Sequence, residues 1–396
     1  MNRLTKYAFA DLYEMASGIS TTKEQAGHGS PFVSFSTVFN NYFLPDTLPD
    51  LMDTSAQEQE TYSLKEGDIL ITRTSETIDE LAMSCVAVKD YPHATYSGFT
   101  KRLRPKTKGI AYHKYLAFYL RSDLFRKAVT NNAFMTLRAS FNEDIFSFLS
   151  LYLPEYEDQV KIGDMLYSME QKIQLNKRIC AELEAMAKTI YDYWFTQFDF
   201  PDDKGKPYRS SGGEMVWNEQ LKREIPKGWE VKAISDLTNV ITGKEDANFS
   251  SPNGKYKFFT CAQDISYCDT AAFSGHAVLV AGNGDFNVKH YTGEFNAYQR
   301  TYVLIPRESK YYAAMYIVAQ KQIQAFRQGS NGSIVKFITK GNVENILMVI
   351  PNDDSLLQQI NLIMAKIETC EKENGELIKL RNWLLPMLMN GQARVE

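Results

Sequence analysis

Residues 154–195 read PEYEDQVKIGDMLYSMEQKIQLNKRICAELEAMAKTIYDYWF. After the opening proline the stretch holds no further proline, and its only glycine is Gly163. Apolar residues stand at Ile162, Leu166, Met169, Ile173, Cys180, Leu183, Ala187, Ile190 and Trp194. Steps alternating between four and three mark a coiled-coil seam rather than the broader apolar face of a surface helix. At ~1.5 Å per residue such a helix reaches roughly 55 Å, longer than a small domain is wide. It calls for a second long helix, and the far end of the chain supplies one. From about Ser355 to about Met389 a second seam runs through Ile360, Ile363, Ile367, Cys370, Asn374, Leu377 and Leu384, with Pro386 expected to kink or end it. Setting Ile162 against Ile360 places Asn176 against Asn374, one asparagine midway along each stripe. A buried asparagine in such a seam fixes register at a cost in stability. Asparagines in water at the seam edge are the other reading, and both stay open.

Around these helices the chain repeats itself. Phe9-Ala-Asp11-Leu12 followed by Ser17-Gly18 returns as Ile234-Ser-Asp236-Leu237 followed by Thr242-Gly243. Gly67-Asp-Ile-Leu-Ile-Thr and Gly275-His-Ala-Val-Leu-Val-Ala both read as a turn entering a strand. Each copy then carries a helical stretch, Lys114–Val129 or Tyr311–Phe326, and an apolar strand closing on Pro154 or Pro351. The predicted fold is α+β: two similar globules, joined and separated by two long antiparallel coiled-coil helices, with an internal pseudo-two-fold repeat. The segments are 1–153 and 231–350 for the globules, 154–200 and 351–396 for the spacer helices, and 201–230 for a connector. Trp217, Trp229 and Tyr208 argue that this connector is ordered, since large aromatics are costly to leave in a floppy linker.

Composition narrows the class. The chain has 396 residues, a net charge of −4 and five cysteines, none in a C-x-x-C pair. Disulfide and metal frameworks are unexpected on that spacing, and a reducing cytoplasm is the expected compartment. No apolar run is long enough to span a bilayer. The overall charge does not mark a polyanion binder, yet residues 95–114 hold Lys101, Arg102, Arg104, Lys106, Lys108 and Lys114 without a single acid. Nucleic-acid binding needs a basic face rather than a basic protein.

Enzyme motifs are missing. There is no phosphate-binding G-x-x-x-x-G-K-[ST], no histidine pair at ligand spacing, no G-x-S-x-G and no Pro-Pro of an amino-methyltransferase tetrad. Gly282-Asn-Gly284 reads as a turn, and Pro201-Asp202-Asp203-Lys204 as a solvated one. What remains is a recognition surface. Arg73, Lys101, Arg102, Arg104, Lys106 and Arg138 in the first globule are the candidate DNA contacts. Lys244, Lys257, Lys289, Arg300 and Lys336 are their counterparts in the second. Arginine reads guanine through paired hydrogen bonds, while lysine, serine and threonine hold phosphate.

The order of motifs along the whole chain resembles the type I restriction–modification specificity subunits. Pro154-x-x-Glu157-Asp158-Gln159-x-x-Ile162 is similar to that family's entry into its first helix. Tyr193-Trp194-Phe195, Phe198-Asp199-Phe200-Pro201, Ser210-Ser-Gly-Gly and Pro226-Lys-Gly-Trp229 are similar to its exit and to the start of the second globule. One departure stands out: the second helix opens Ser355-Leu-Leu-Gln358-Gln-Ile360, without the acid–Gln pair. The resemblance implies a non-catalytic subunit in which each globule reads half of a split, asymmetric DNA target. It implies helices that set the gap between halves and dock two methyltransferase subunits. S-adenosylmethionine would then be bound by those subunits, and ATP and Mg²⁺ by restriction subunits, with no cofactor on this chain. The rival readings are a fused methyltransferase or nuclease with a cryptic site, and a coiled-coil scaffold for proteins only.

Overall fold

The computed structural model describes residues 4–77, 80–132, 139–284, 286–328 and 337–395. The chain forms two compact units, Met1–Gln174 with Asn374–Glu396, and Leu175–Glu373. The division falls inside both long helices. The physical reason lies in the cores, which take in the helices.

In the first unit, Thr5–Ala8 pairs antiparallel with Ser150–Leu153, and the chain turns at once into the short helix Phe9–Leu12. Phe9 N donates to Leu149 O at 2.9 Å. A four-stranded antiparallel sheet follows in the order Tyr13–Ser17, Thr100–Pro105, Ile69–Thr72, Ser84–Val86. The Lys114–Val129 stretch forms two helices, His113–Tyr119 and Asp123–Asn132. The first long helix starts at Tyr156, and its Ile162 and Leu166 enter the buried core together with Leu388 and Met389 from the end of the second. The two helices therefore run antiparallel here. Gly163 permits close contact: a Cβ there would lie 2.7 Å from Tyr115 N.

The second unit repeats the plan. Glu230–Ala233 pairs with Leu347–Ile350, the helix Ile234–Leu237 follows, and Ile234 N donates to Ile346 O at 2.9 Å. Its six-stranded sheet runs in the order Ile241–Thr242, Thr301–Leu304, Phe273–Ala281, Val288–Ala297, Tyr256–Phe259, Ser266–Cys268. Ala187, Tyr191 and Phe195 from the end of the first long helix share the core with Leu356, Leu357, Ile360, Met364 and Ile367 from the start of the second. The connector is ordered, with Phe200 stacked on Trp229 and Tyr208 and a hairpin of Met215–Asn218 on Arg223–Pro226. Trp217 departs from expectation, being largely exposed with its Nε1 donating to Glu219 Oε1.

The long helices are Tyr156–Tyr191, closed by a π-helical turn at Asp192–Thr196, and Ser355–Met389. Pro386 neither ends nor precedes the end by a full turn; it sits in the last turn, and the helix runs on to Met389. Ile162, Leu166, Ile173, Ile360 and Ile367 are fully buried, while Met169, Leu183, Ile190, Leu377 and Leu384 are half-buried along the seam. The asparagine question has a structural answer: both are buried. In the second unit Asn176 Nδ2 donates to Glu373 Oε2 at 2.7 Å, and in the first Asn374 Nδ2 donates to Ile173 O at 3.2 Å. Near the latter, Arg381 Nη1 donates to the buried Glu170 carboxylate at 2.6 Å.

One amide side chain in each unit joins the globule to its helix. Gln159 in the first helix accepts from Tyr112 N and donates to Ile110 O and Pro154 O, each at 2.9 Å. In the second helix Asn361 accepts from Ala313 N at 3.0 Å and donates to Lys310 O at 2.7 Å. The missing acid–Gln pair at Gln358 is thus made good by an amide one position past Ile360.

The repeated glycines are fixed by close approach. A Cβ on Gly18 would lie 2.2 Å from Ser97 O, and on Gly243 1.9 Å from Ala297 O. Gly375, in the second long helix, has nothing within 4 Å of its would-be Cβ. Gly243→Ala is therefore expected to destabilise by about 1–3 kcal/mol. Gly375→Ala should stabilise by about 0.5–1 kcal/mol, the helix preference of alanine over glycine. Calorimetric melting of both variants checks the pair, and equal effects would contradict it.

Candidate nucleic-acid interface

At one edge of each unit a four-residue turn is held by the same main-chain bonds. In the first, Thr100 N donates to Ser97 O at 2.9 Å, and Gly98 N to Ile19 O at 2.6 Å. In the second, Thr301 N donates to Tyr298 O at 2.8 Å, and Gln299 N to Glu245 O at 3.0 Å. Sheet register agrees with this match. Thr72 lies opposite Thr100 and Ala281 opposite Thr301, while Ser17 faces Lys101 and Thr242 faces Tyr302. Two further bonds complete each frame: Arg73 N to Phe99 O and Phe141 N to Arg73 O, then Gly282 N to Arg300 O and Ile338 N to Gly282 O.

On the first frame, Arg73 is exposed between two strands. It lines a cavity of about 380 Å³ with Ser20, Thr21, Thr74, Ser97 and Phe99. Lys101 lies beside it, with Nζ donating to Ser17 Oγ at 2.8 Å. Burial and the Arg73 charge hold the Lys101 ammonium below its usual range, against the opposing pull of Glu143. Phe99 is 63% exposed and also borders a second cavity with Phe35, Phe39, Glu76 and Glu80.

Four other basic residues of the acid-free run bond within the chain, three of them candidate contacts, while Lys108 is exposed. Arg104 pairs with Asp68 through Nε at 2.8 Å and Nη2 at 2.6 Å, and also donates to Ser63 O. That hydrogen bond with Asp68 raises the guanidinium pKa further. Arg102, two residues away on the same strand face, donates to the same Ser63 O and lies over the Tyr96 ring. Lys106 donates to Ala10 O at 2.8 Å, beyond the far end of the Thr100–Pro105 strand from the turn. Lys114 pairs with Asp164 at 2.8 Å. Arg138 lies outside the described residues.

On the second frame, Arg300 is exposed at the turn and Lys244 is exposed next to Gly243. Lys289 donates to Thr260 O at 3.2 Å and to Ala262 O. Lys257 lies across the strand, 4.5 Å over the Tyr291 ring. Lys336 lies outside the described residues; the adjacent Phe337 is 63% exposed. Phe99 and Phe337 are not among the sequence candidates because those were chosen by charge, although Phe99 stands within the basic Ser97–Lys106 stretch. Aligning Ser97-Gly98-Phe99-Thr100 with Tyr298-Gln299-Arg300-Thr301 is the signal that would have found the first.

Among the described residues no group of histidines, cysteines and acids is arranged to hold a metal, and no helix is long and apolar enough to cross a membrane.

Two repeats of one α+β plan, carried on paired long helices and edged by matched frames, define a class. The chain belongs to the family of the type I restriction modification DNA specificity domain, whose model matches residues 6–185 and again 226–381. That membership makes it a specificity subunit in kind and not a catalytic one. It is 35% identical over 180 residues to the type I restriction enzyme EcoDI specificity subunit of Escherichia coli, a match spanning 44% of this chain and 40% of that protein. It is 22% identical to the MjaIX specificity subunit of Methanocaldococcus jannaschii, across 98% of this chain and 92% of that one. The type I restriction–modification S subunit from M. genitalium has a similar fold, with a TM-score of 0.61 at 14% identity over 98% of this chain and 96% of that one.

Arg104→Ala leaves Asp68, 1% exposed, without its charge partner, and should destabilise by about 3 kcal/mol. Arg73→Ala should change stability by no more than about 0.5 kcal/mol. Denaturant titration of the two variants tests the distinction between an internal and a rim arginine.

Proposed function

We propose that this chain is the DNA-reading subunit of a type I restriction–modification enzyme, working in the cytoplasm. Each unit reads one half of a split, asymmetric target, and the long helices fix the gap between halves. The observation that carries this reading is the repeated frame: two matched edges, each bearing an exposed arginine beside hydroxyls or amides. The contacts we assign are Arg73 and Lys101 in the first unit and Lys244 and Arg300 in the second; Lys289 is left out because its ammonium bonds Thr260 O and Ala262 O. Lys257 is a peripheral phosphate candidate. Arg102, Arg104 and Lys106 are left out because their donors serve the fold.

The helices also dock two methyltransferase subunits, which bring S-adenosylmethionine, and through them restriction subunits that use ATP and Mg²⁺. Supporting this, the long helices carry apolar side chains that the chain leaves uncovered: Leu362 is 71% and Trp383 66% exposed. Large exposed apolar groups are what a partner surface presents.

Gel shifts with random-sequence duplex DNA, with and without co-expressed methyltransferase subunits, test the reading. A sequence-selective complex that weakens steeply with salt is expected; no selective complex even with those subunits present would overturn it. Leu362→Ser and Trp383→Ser are expected to reduce co-purification of the methyltransferase subunits at least about tenfold, the scale of losing one interface anchor. Inserting four residues beside Asn176 should lengthen the unread gap with both half-targets kept, as read by genome methylation mapping. Altered half-targets would contradict the spacing role.

A further inference from the structure

The two frames can be compared position by position, because the same main-chain bonds define them. Arg73 corresponds to Gly282, since each donates to the turn carbonyl (Phe99 O or Arg300 O) and accepts from the third segment (Phe141 N or Ile338 N). Phe99 therefore corresponds to Arg300. Ser140, before Phe141, corresponds to Phe337, before Ile338. At these three positions the first unit carries Arg, Phe and Ser, and the second carries Gly, Arg and Phe. Each frame has one arginine and one phenylalanine, but they stand on different segments. Both phenylalanines are 63% exposed, and neither arginine side chain has a protein partner among the described residues.

An aromatic that exposed gains nothing for folding, since it leaves most of its apolar surface in water. Finding it twice, each time within one hydrogen-bonded segment of an exposed arginine, argues for a shared ligand chemistry. Nucleic-acid bases supply it. A guanidinium makes two parallel bonds to a guanine edge, and a phenyl ring packs on a thymine methyl or on an unstacked base face. Main-chain frames of this kind leave the side chains free to point outward, with Lys101 or Lys244 near enough to hold the phosphate chain.

We propose that Arg73 with Phe99, and Arg300 with Phe337, are the base-reading pairs of the two units. Their transposition between segments makes the two half-targets differ in the order of a guanine-type and an apolar contact. This rests on the DNA-reading assignment above and names the residues that set its specificity. The pair in the first unit reads guanine from the strand exit and the apolar feature from the turn. The second reads guanine from the turn and the apolar feature from the third segment.

The test uses the full chain co-expressed with its methyltransferase subunits, with methylation mapped by sequencing and half-target preference measured by competition. Phe99→Ala and Arg73→Ala should each relax one base position in one half-target by about 5- to 100-fold, the discrimination a single base contact gives, with the other half unchanged. Phe337→Ala and Arg300→Ala should do the same in the other half. Arg73→Lys and Arg300→Lys, which keep charge and lose the paired donors, should relax the same positions as the alanine variants. Unchanged preferences in any of these variants overturn the assignment of that residue. Loss of methyltransferase co-purification instead of target preference marks the rim as a protein interface and overturns the proposal. Failure of the unaltered complex to select any sequence sinks the DNA-reading assignment itself, and the unaltered arm separates that result from the others.

Discussion

Each globule in this protein has an open core that only the long helices close. In the first unit the side chains of Ile162 and Leu166 enter from one helix, and those of Leu388 and Met389 from the other, all nearly inaccessible to water. In the second unit Tyr191 and Phe195 meet Ile360, Met364 and Ile367. Full burial of a side chain of this size contributes about 1.5–3 kcal/mol, so the helix ends form a large share of what a domain has to spare. Helix and globule are thus parts of one folding unit, and the chain cannot be cut at the ends of its strands without opening both cores.

The polar groups along the seam follow from that constraint. A coiled coil made only of Ile and Leu tolerates slips by a heptad. Here Asn176 and Asn374 are buried with named partners, and Glu170 meets Arg381 with both side chains about nine-tenths hidden. A shifted register would leave each of them unpaired in an apolar surrounding, which costs far more than the bonds themselves contribute. Gln159 and Asn361 do the same at the helix–globule junctions, by answering main-chain groups that no strand or helix satisfies.

Much of this was legible in the residues. The four-three spacing located both helices to within a few positions, and the Asp-Leu…Gly repeat marked two matching places, which the structure folds as the short helices Phe9–Leu12 and Ile234–Leu237. Gly18 and Gly243 were visible as matching letters, though their reason, a carbonyl pressed against the Cα, is tertiary. The basic run misled. Charge without neighbouring acids looked like a ligand face, but Asp68, which neutralises Arg104, is 36 residues distant in sequence. The partner of a charge is set by sheet register, which linear spacing does not encode. The exposed phenylalanines were passed over because charge alone chose the candidates, and exposure of an apolar side chain is a tertiary property that only the folded frames display.

The bonds that match between the two edges run between main-chain groups. These carbonyls and amides bond identically whether the side chain above them is Arg, Phe, Gly or Ser, as the two units already demonstrate at three positions. On the DNA-reading role proposed above, target choice is energetically uncoupled from folding, since the residues that vary are those the scaffold does not use. On that role, a lineage carrying such a protein would change what it recognises by drift at a handful of sites without crossing a stability threshold, and the two units would diverge independently of each other.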